Sequence, residues 1–345
     1  MKRERARIPD WALVIIALLV AAALVIAVFS VIFLVVLDTE PETKAFSGPS
    51  SPYVARITIA GEISGSANRF SSSDVAYHHI WTMETIDTLI GDSDNKGICL
   101  WLETPGGAVY ESDELYLKLM EYKEKTGRPI YAYMRKIAAS GGYYAAAATD
   151  EIYANRNTWT GSIGVTIGTL FDVSGFLESH GVSTETITSG RNKAMGSYYE
   201  PLTDEQREIF QSLVDDAYDR FVSIVALGRG MTEKEVRIVA DGRILTAQQA
   251  LDAGLIDGIL GEKEAEDAIK AKFDEGTIMH DCYFKPDSGY LSLFASVLGG
   301  RQGFLENILS GFGGSLYKGD VAAVLDLARE QAENDIPPIK YLYTG

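Results

Sequence analysis

Pro129-Ile130-Tyr131-Ala132-Tyr133-Met134, continued by Ala138-Ala139-Ser140-Gly141-Gly142 and then by Tyr143 to Ala148, is the stretch on which the reading of the fold turns. Its first part is short, apolar and rich in β-formers, which predicts a buried strand. Its last part is alanine-rich and predicts a helix. A serine and two glycines stand at the junction. The same step from strand to helix occurs upstream, where the apolar run Ile98 to Glu103 ends in Thr104-Pro105-Gly106-Gly107 and a stripe of Leu115, Leu119 and Tyr122 follows at helical spacing. Val54-Ala55-Arg56-Ile57-Thr58-Ile59 has strand character before it, and Glu151-Ile152-Tyr153-Ala154 after it. This alternation predicts an α/β domain with a largely parallel sheet.

Downstream the pattern turns helical. Thr203 with Gln206, Thr232 with Glu235 and Thr246 with Gln249 form three capping-box pairs, each of which predicts a helix start. After the first, Ile209, Phe210, Leu213, Val214, Ala217, Tyr218, Phe221 and Val222 make one apolar stripe, suited to the core or to a subunit interface. The pattern weakens from about Gly276. There is no internal repeat.

The 345-residue chain carries a formal net charge of −17, which argues against a nucleic-acid partner, because phosphate binding needs clustered Lys and Arg. Cys99 and Cys282 do not make a disulfide framework, and Cys99 reads as a buried thiol in its apolar run. The histidines His78, His79, His180 and His280 have no HExxH spacing and no CxxC occurs, so neither a metal nor a cofactor is expected. From Trp11 to Leu37 the only polar side chain is Ser30. That run exceeds the about 20 residues a membrane-spanning helix needs and the shorter core of a cleaved signal peptide. Lys2, Arg3, Arg5 and Arg7 precede it, while Asp38, Glu40 and Glu42 follow, which predicts a retained anchor with a cytoplasmic N-terminus and the rest of the chain outside.

Three features bear on chemistry. Ser140 stands at the start of a predicted helix, where it can be a simple N-cap or a nucleophile in the positive field of the helix end. The Thr104-Pro105-Gly106-Gly107 junction is either an ordinary turn or a loop whose N–H groups face a developing oxyanion. A serine also needs a base. No G-x-S-x-G elbow is present, and His180, Lys136 and Lys193 are all candidates. Composition and spacing do not choose among them.

Several ordered motifs do. Ala139-Ser140-Gly141-Gly142-Tyr143-Tyr144, Thr160-Gly161-Ser162-Ile163-Gly164-Val165, Glu185 to Gly190 with Lys193, Gly228-Arg229-Gly230-Met231, Ala240-Asp241-Gly242-Arg243 and Ala250 to Asp257 together resemble the signal peptide peptidase SppA family in its single-repeat form. The likeness runs from about Tyr53 to Ala271. It implies a crotonase-like (Clp protease) α/β superhelix of repeated β-β-α units, preceded by one transmembrane helix. It also implies a Ser–Lys dyad, with Ser140 as nucleophile, Lys193 as base, Ser162 orienting the lysine, and Gly107 and Gly141 supplying the oxyanion hole. The family acts on peptides such as cleaved signal peptides at the membrane and forms ring- or dome-shaped homo-oligomers, an octamer being one expected size. The serine and lysine of one site can come from neighbouring subunits. The acidic residue that usually follows the lysine is replaced here by Ala194.

The chain then divides into a cytoplasmic N-terminus (1–10), an anchor (11–37), a linker (38–52), a protease domain (53–272) and a C-terminal extension (273–345). The extension is an oligomerisation or self-docking tail, with Tyr341-Leu342-Tyr343 at its end. The competing readings are a Clp-class protease for one specific membrane protein, a non-catalytic membrane scaffold, and an acyl-CoA enzyme of the crotonase type.

Overall fold

The computed structural model describes residues 46–65 and 77–284. The apolar run 11–37 and the chain end at 341–343 lie outside these residues. Among the described residues no helix is long and apolar enough to cross a membrane.

The chain alternates from its first strand: β1 (Tyr53–Ala60), α1 (His79–Gly91), β2 (Asn95–Thr104), α2 (Val109–Thr126), β3 (Ile130–Ala139) and α3 (Gly141–Ala146). Then come β4 (Glu151–Ala154), β5 (Trp159–Gly161), α4 (Ser174–Ser179), α5 (Asp204–Arg229) and α6 (Glu233–Val239). The last elements are β6 (Ile244–Thr246), α7 (Ala247–Asp252), β7 (Gly258–Ile259), α8 (Glu262–Lys270) and β8 (Ile278–Cys282). Among the described residues the succession β-β-α occurs once, at β4-β5-α4; α4, α5 and α6 follow one another before β6, and single strands alternate with helices on either side of this stretch.

Strands β8, β1, β2 and β3 lie in that order and parallel. On its far side β3 is shared, its first half pairing β4 and its end pairing β5, both parallel. Among the described strands only β6, on β5, runs antiparallel. Successive side chains point to opposite faces of a strand. On one face Ile57, Ile59, Ile98, Leu100, Leu102, Ala132 and Met134 pack with Leu89, Leu115, Leu119 and Tyr122 of α1 and α2. On the other, Val54, Cys99, Trp101, Tyr131 and Tyr133 lie under Ala265 and Ile269 of α8. Coverage on both faces is why the strands read as unbroken apolar runs. Cys99 is fully buried between them, and the desolvation of a thiolate there pushes its pKa far above the ordinary thiol range.

All three expected capping boxes form, at Thr203–Gln206, Thr232–Glu235 and Thr246–Gln249. The helix after Thr203 buries only its last turns, through Phe221, Val222, Ile224, Val225 and Ala226. Leu213, in the middle of the predicted stripe, is exposed. The first half of α5 therefore leaves the core, and the stripe continues onto a free face. Sequence also ended the third strand at Met134 and drew the domain edge at 272. In the structure β3 runs on to Ala139, and β8 adds to the same sheet beside β1 through Tyr53–Ile278 to Ile57–Cys282. The weak pattern after Gly276 reflects an edge strand with Ile278 exposed rather than a two-sided core strand.

The end of α5 is locked to the domain. Arg229 donates to both carboxylate oxygens of Asp257 (2.7 and 3.0 Å) and to the Gly254 carbonyl (3.0 Å), and Asp257 also accepts the Ile152 N–H (2.7 Å). Beside it, the position a Cβ of Gly228 would take is 2.1 Å from the Ala147 carbonyl oxygen. Backbone meets backbone there, so no rotamer change relieves the contact. Gly228→Ala is expected to cost about 1–3 kcal/mol as an overpacked site. The check is a lower midpoint in urea unfolding, with the slope of the transition unchanged.

Candidate active site

The site is built where β3 outruns its apolar segment. The register between β2 and β3 slips between Leu102–Met134 and Thr104–Ala138, so that Arg135, Lys136 and Ile137 stand where β2 has Glu103 alone. Such bulges bend a strand and re-aim the residues after them. The two cations on the bulge are held away by one carboxylate: Arg135 lies 3.0 Å and Lys136 2.8 Å from Glu103 oxygens. Lys136 is thus paired with Glu103 and its side chain is largely exposed.

Past the bulge, Ile137, Ala138 and Ala139 pair with Trp159, Thr160 and Gly161 of β5, and the Ser140 N–H donates to the Gly161 carbonyl at 2.9 Å. Ser140 then turns sharply, with φ 51° and ψ −120°, into α3. Ser162 has φ 52°, and these two serines are the only non-glycine residues with positive φ among the described residues. Each comes directly after the Ala139–Gly161 pair. The ladder ends at that pair, and Ser162 follows the Gly161 whose carbonyl accepts the Ser140 N–H, which keeps the two serine turns close. Ser162 is held from behind by its N–H bond to the Arg243 carbonyl (2.7 Å) and by the Gly242 N–H on the Ile163 carbonyl (3.1 Å). Backbone strain of about 1–3 kcal/mol per residue persists where the surroundings over-determine it, and it collects at functional sites. The Ser140 side chain makes no capping hydrogen bond, so the simple N-cap reading does not describe it. The shape is that of a nucleophile elbow, reached without the G-x-S-x-G motif.

Helix α3 behind Ser140 is wholly buried. Tyr143 donates to the Leu255 carbonyl (2.7 Å) and Tyr144 to Asp113 (2.5 Å). Burial pushes both phenols above their ordinary range, so each remains a neutral donor and anchors the helix.

The glycine junction lies against this turn. Gly106, at φ +100°, has its Cβ direction 2.6 Å from the Gly141 nitrogen and 2.8 Å from the Ser140 Cβ. Ile63 forms a single parallel bridge with Gly107, donating to the Gly106 carbonyl (2.9 Å) and accepting from Ala108 (2.8 Å). A Cβ on Gly107 would fall 2.0 Å from the Ile63 carbonyl oxygen. The Gly107 nitrogen is 3.3 Å from the Cβ position of Gly141. Neither the Gly107 N–H nor the Gly141 N–H donates to another described group. Two amides with no partner among the described residues, beside a strained serine, form a cradle suited to an oxyanion.

The structure therefore gathers Ser140, Ser162, Gly107 and Gly141. Lys193 makes no described contact with these four residues. It sits exposed in a turn closed by its own N–H on the Gly190 carbonyl (3.0 Å), and its amine has no hydrogen-bond or ion-pair partner among the described residues. The segment that carries it, residues 164–202, contains only the short α4 and is exposed for most of its length. His180 lies on the same segment, its Nδ1 2.8 Å from the Phe176 carbonyl, and it does not reach Ser140. Sequence reading missed Ile63 and Ser112, and named Thr104 only as part of the junction, not as a contact that shapes the glycine loop. Only Thr104 had a local signal, a hydroxyl two residues before a glycine in a turn.

A strained serine beside amides without a described partner, at a strand–helix junction of an α/β sheet, is the arrangement that serine hydrolases of the acyl-transfer class require. Peptidase family S49 matches residues 122–274. A protein of Enterococcus faecium named as a signal peptide peptidase SppA is 37% identical over 249 residues, 71% of each chain. A protein of Synechocystis named as a protease is 36% identical over 212 residues, 61% of this chain and 71% of its own. The chloroplast serine protease SPPA of Arabidopsis thaliana is 32% identical over 220 residues, 64% of this chain and 32% of that longer one. The chain belongs to the S49, or signal peptide peptidase SppA, family and is a serine protease. Among solved structures, mutants of ClpP1 from Listeria monocytogenes and of the 1510-N membrane-bound stomatin-specific protease are each 14% identical. They cover 60% and 68% of this chain, and 92% and 99% of their own, with TM-scores of 0.38 and 0.40, too loose a superposition to carry an argument.

Because Gly106 faces backbone of the serine turn, Gly106→Ala is expected to displace Ser140. Misplacement on the 1 Å scale costs about a hundredfold in rate. Peptide hydrolysis by that variant should fall by this order, and an unchanged rate would show that the loop and the serine are independent.

Proposed function

We propose that the protein is a membrane-anchored endopeptidase with a Ser–Lys dyad, in which Ser140 is the nucleophile and Lys193 of a neighbouring copy of the chain is the base. The observation that carries this reading is the division of the site. The serine, Ser162 and the amide donors are gathered at one strand–helix junction, while Lys193 is exposed, with no partner among the described residues, on a segment that shows Phe171, Phe176, Ile187 and Tyr198 to solvent. Large apolar exposure of this kind marks an interaction surface. A lysine acts as a base only when neutral, a state that burial among apolar groups favours. A second subunit laid over the segment would supply that burial.

In the reaction, Lys193 takes the Ser140 proton as Oγ attacks a peptide carbonyl. The carbonyl π electrons move onto oxygen, facing the N–H groups of Gly107 and Gly141. Collapse of the intermediate breaks the C–N bond, and the lysine returns the proton to the leaving amine. Water, deprotonated by the same lysine, then frees the acyl group from Ser140. Ser162, which follows the Gly161 bonded to the Ser140 N–H, orients the lysine. The run 11–37 is the anchor, which places the domain 53–272 and its sheet edge at the outer membrane surface and makes apolar peptides, such as cleaved signal peptides, the substrate class. The wider architecture is the crotonase-like (Clp) superhelix, assembled as a homo-oligomer, with the octamer as one closed form. No cofactor takes part in this scheme.

Ser140→Ala and Lys193→Ala should each abolish hydrolysis of an apolar test peptide. On mixing and reassembly, random pairing of donors and acceptors returns about a quarter of the sites. Loss in both single mutants without recovery on mixing would place both residues of each site in one subunit. Full activity of either mutant would remove that residue from the dyad.

A further inference from the structure

The amide donors of the cradle are held by two buried hydroxyls that take no part in the proposed chemistry. Thr104 ends β2, opposite Ala138, and is completely buried. Its Oγ1 accepts the Gly106 N–H at 3.0 Å and lies 3.4 Å from the Gly106 carbonyl oxygen, which closes the loop on itself. Its methyl group is 2.6 Å from where a Cβ of Gly142 would stand, so it rests directly on the first turn of α3. Ser112 acts from the opposite side. It is 2% exposed, donates to the Ala108 carbonyl at 2.8 Å, and its Oγ is 2.2 Å from the Cβ position of Gly141. Between them these side chains touch or bond Gly106, Ala108, Gly141 and Gly142, the residues flanking both free amides.

We propose that Thr104 and Ser112 are positioning residues that fix the Gly107 and Gly141 N–H groups at the separation the oxyanion requires. The proposal rests on the reading of those amides as the oxyanion hole. Its physical basis is preorganisation: donors already in place cost no reorganisation when charge develops, and small displacements forfeit that advantage. Both side chains are buried beneath the loop, so their effect is expected in the transition state and not in substrate binding.

The test uses the full-length protein and four variants: Ser140→Ala, Thr104→Val, Thr104→Ser and Ser112→Ala. The readouts are kcat and KM for an apolar peptide and the affinity of a peptide aldehyde, whose adduct with serine places an oxygen in the hole. Thr104→Val keeps the methyl and loses the loop hydrogen bond. It should lower kcat about tenfold to a hundredfold, the scale of misplaced or missing donors, with KM within about twofold. Aldehyde affinity should fall by the same factor as kcat. Thr104→Ser keeps the hydroxyl and should recover most of both losses. Ser112→Ala should shift kcat and aldehyde affinity together in the same direction, and it carries the test if Thr104→Val does not fold. Unchanged kcat, a loss in KM alone, unchanged aldehyde affinity, or a Thr104→Ser variant as impaired as Thr104→Val would each overturn the proposal. Hydrolysis that survives Ser140→Ala would instead overturn the site reading, and this proposal with it.

Discussion

The contact on which the rest of the site depends is the backbone crowding between Gly106-Gly107 and the Ser140-Gly141 turn. Four peptide units from two different strand ends meet with no side chain between them. Gly106 faces the Gly141 nitrogen, Gly107 faces the Ile63 carbonyl, and Gly141 faces Ser112. A Cβ at any of the three would fall within 2.6 Å of a neighbouring atom. Glycine here is a demand of close approach, and at Gly106 also of a positive φ. The consequence is that the serine turn and the amide loop move as one body. A disturbance of β2's end is a disturbance of the nucleophile.

That body is stiff because the sheet beneath it is stiff. Strands β1, β2 and β3 are covered on both faces, and the bulge before Ser140 is pinned by the Glu103 pairs with Arg135 and Lys136. Those ion pairs are partly exposed and worth little as stability. Their effect is directional, since they hold the bulge's cations on the outer side and let Ile137 to Ala139 continue into pairing with β5. Without that extension Ser140 would have no Gly161 carbonyl to bond.

Much of this was legible in the residues, for physical reasons. Two-sided burial leaves an unbroken apolar run, so Ile98 to Leu102 and Ile130 to Met134 announced central strands. Capping boxes depend only on neighbours in sequence, and all three formed where Thr203, Thr232 and Thr246 stand. Ser140 was legible as a junction residue. What could not be read was everything set by non-local register: the extension of β3 through charged Arg135 and Lys136, the pairing that brings Ser162 beside Ser140, and the edge strand β8. Lys193 was invisible to spacing and entered through family resemblance alone. Its placement agrees with that limit, because no described contact within the chain ties it to the serine.

The uneven rigidity of the two halves has a mechanistic logic. Oxyanion stabilisation rewards fixed donors, and the amides of Gly107 and Gly141 are set in backbone that glycine crowding over-determines. A lysine base has the opposite requirement: it must leave water to lose its proton, and a residue on an exposed segment cannot do so unaided. Under the proposed function, one event, the covering of residues 164–202 by another copy of the chain, would hide Phe171, Phe176 and Ile187, desolvate Lys193 and bring it to a serine. A subunit alone would then hold a finished acyl-transfer cradle with an unactivated nucleophile. For a protease such a separation is protective, since peptide bonds would be at risk only where the assembly has formed.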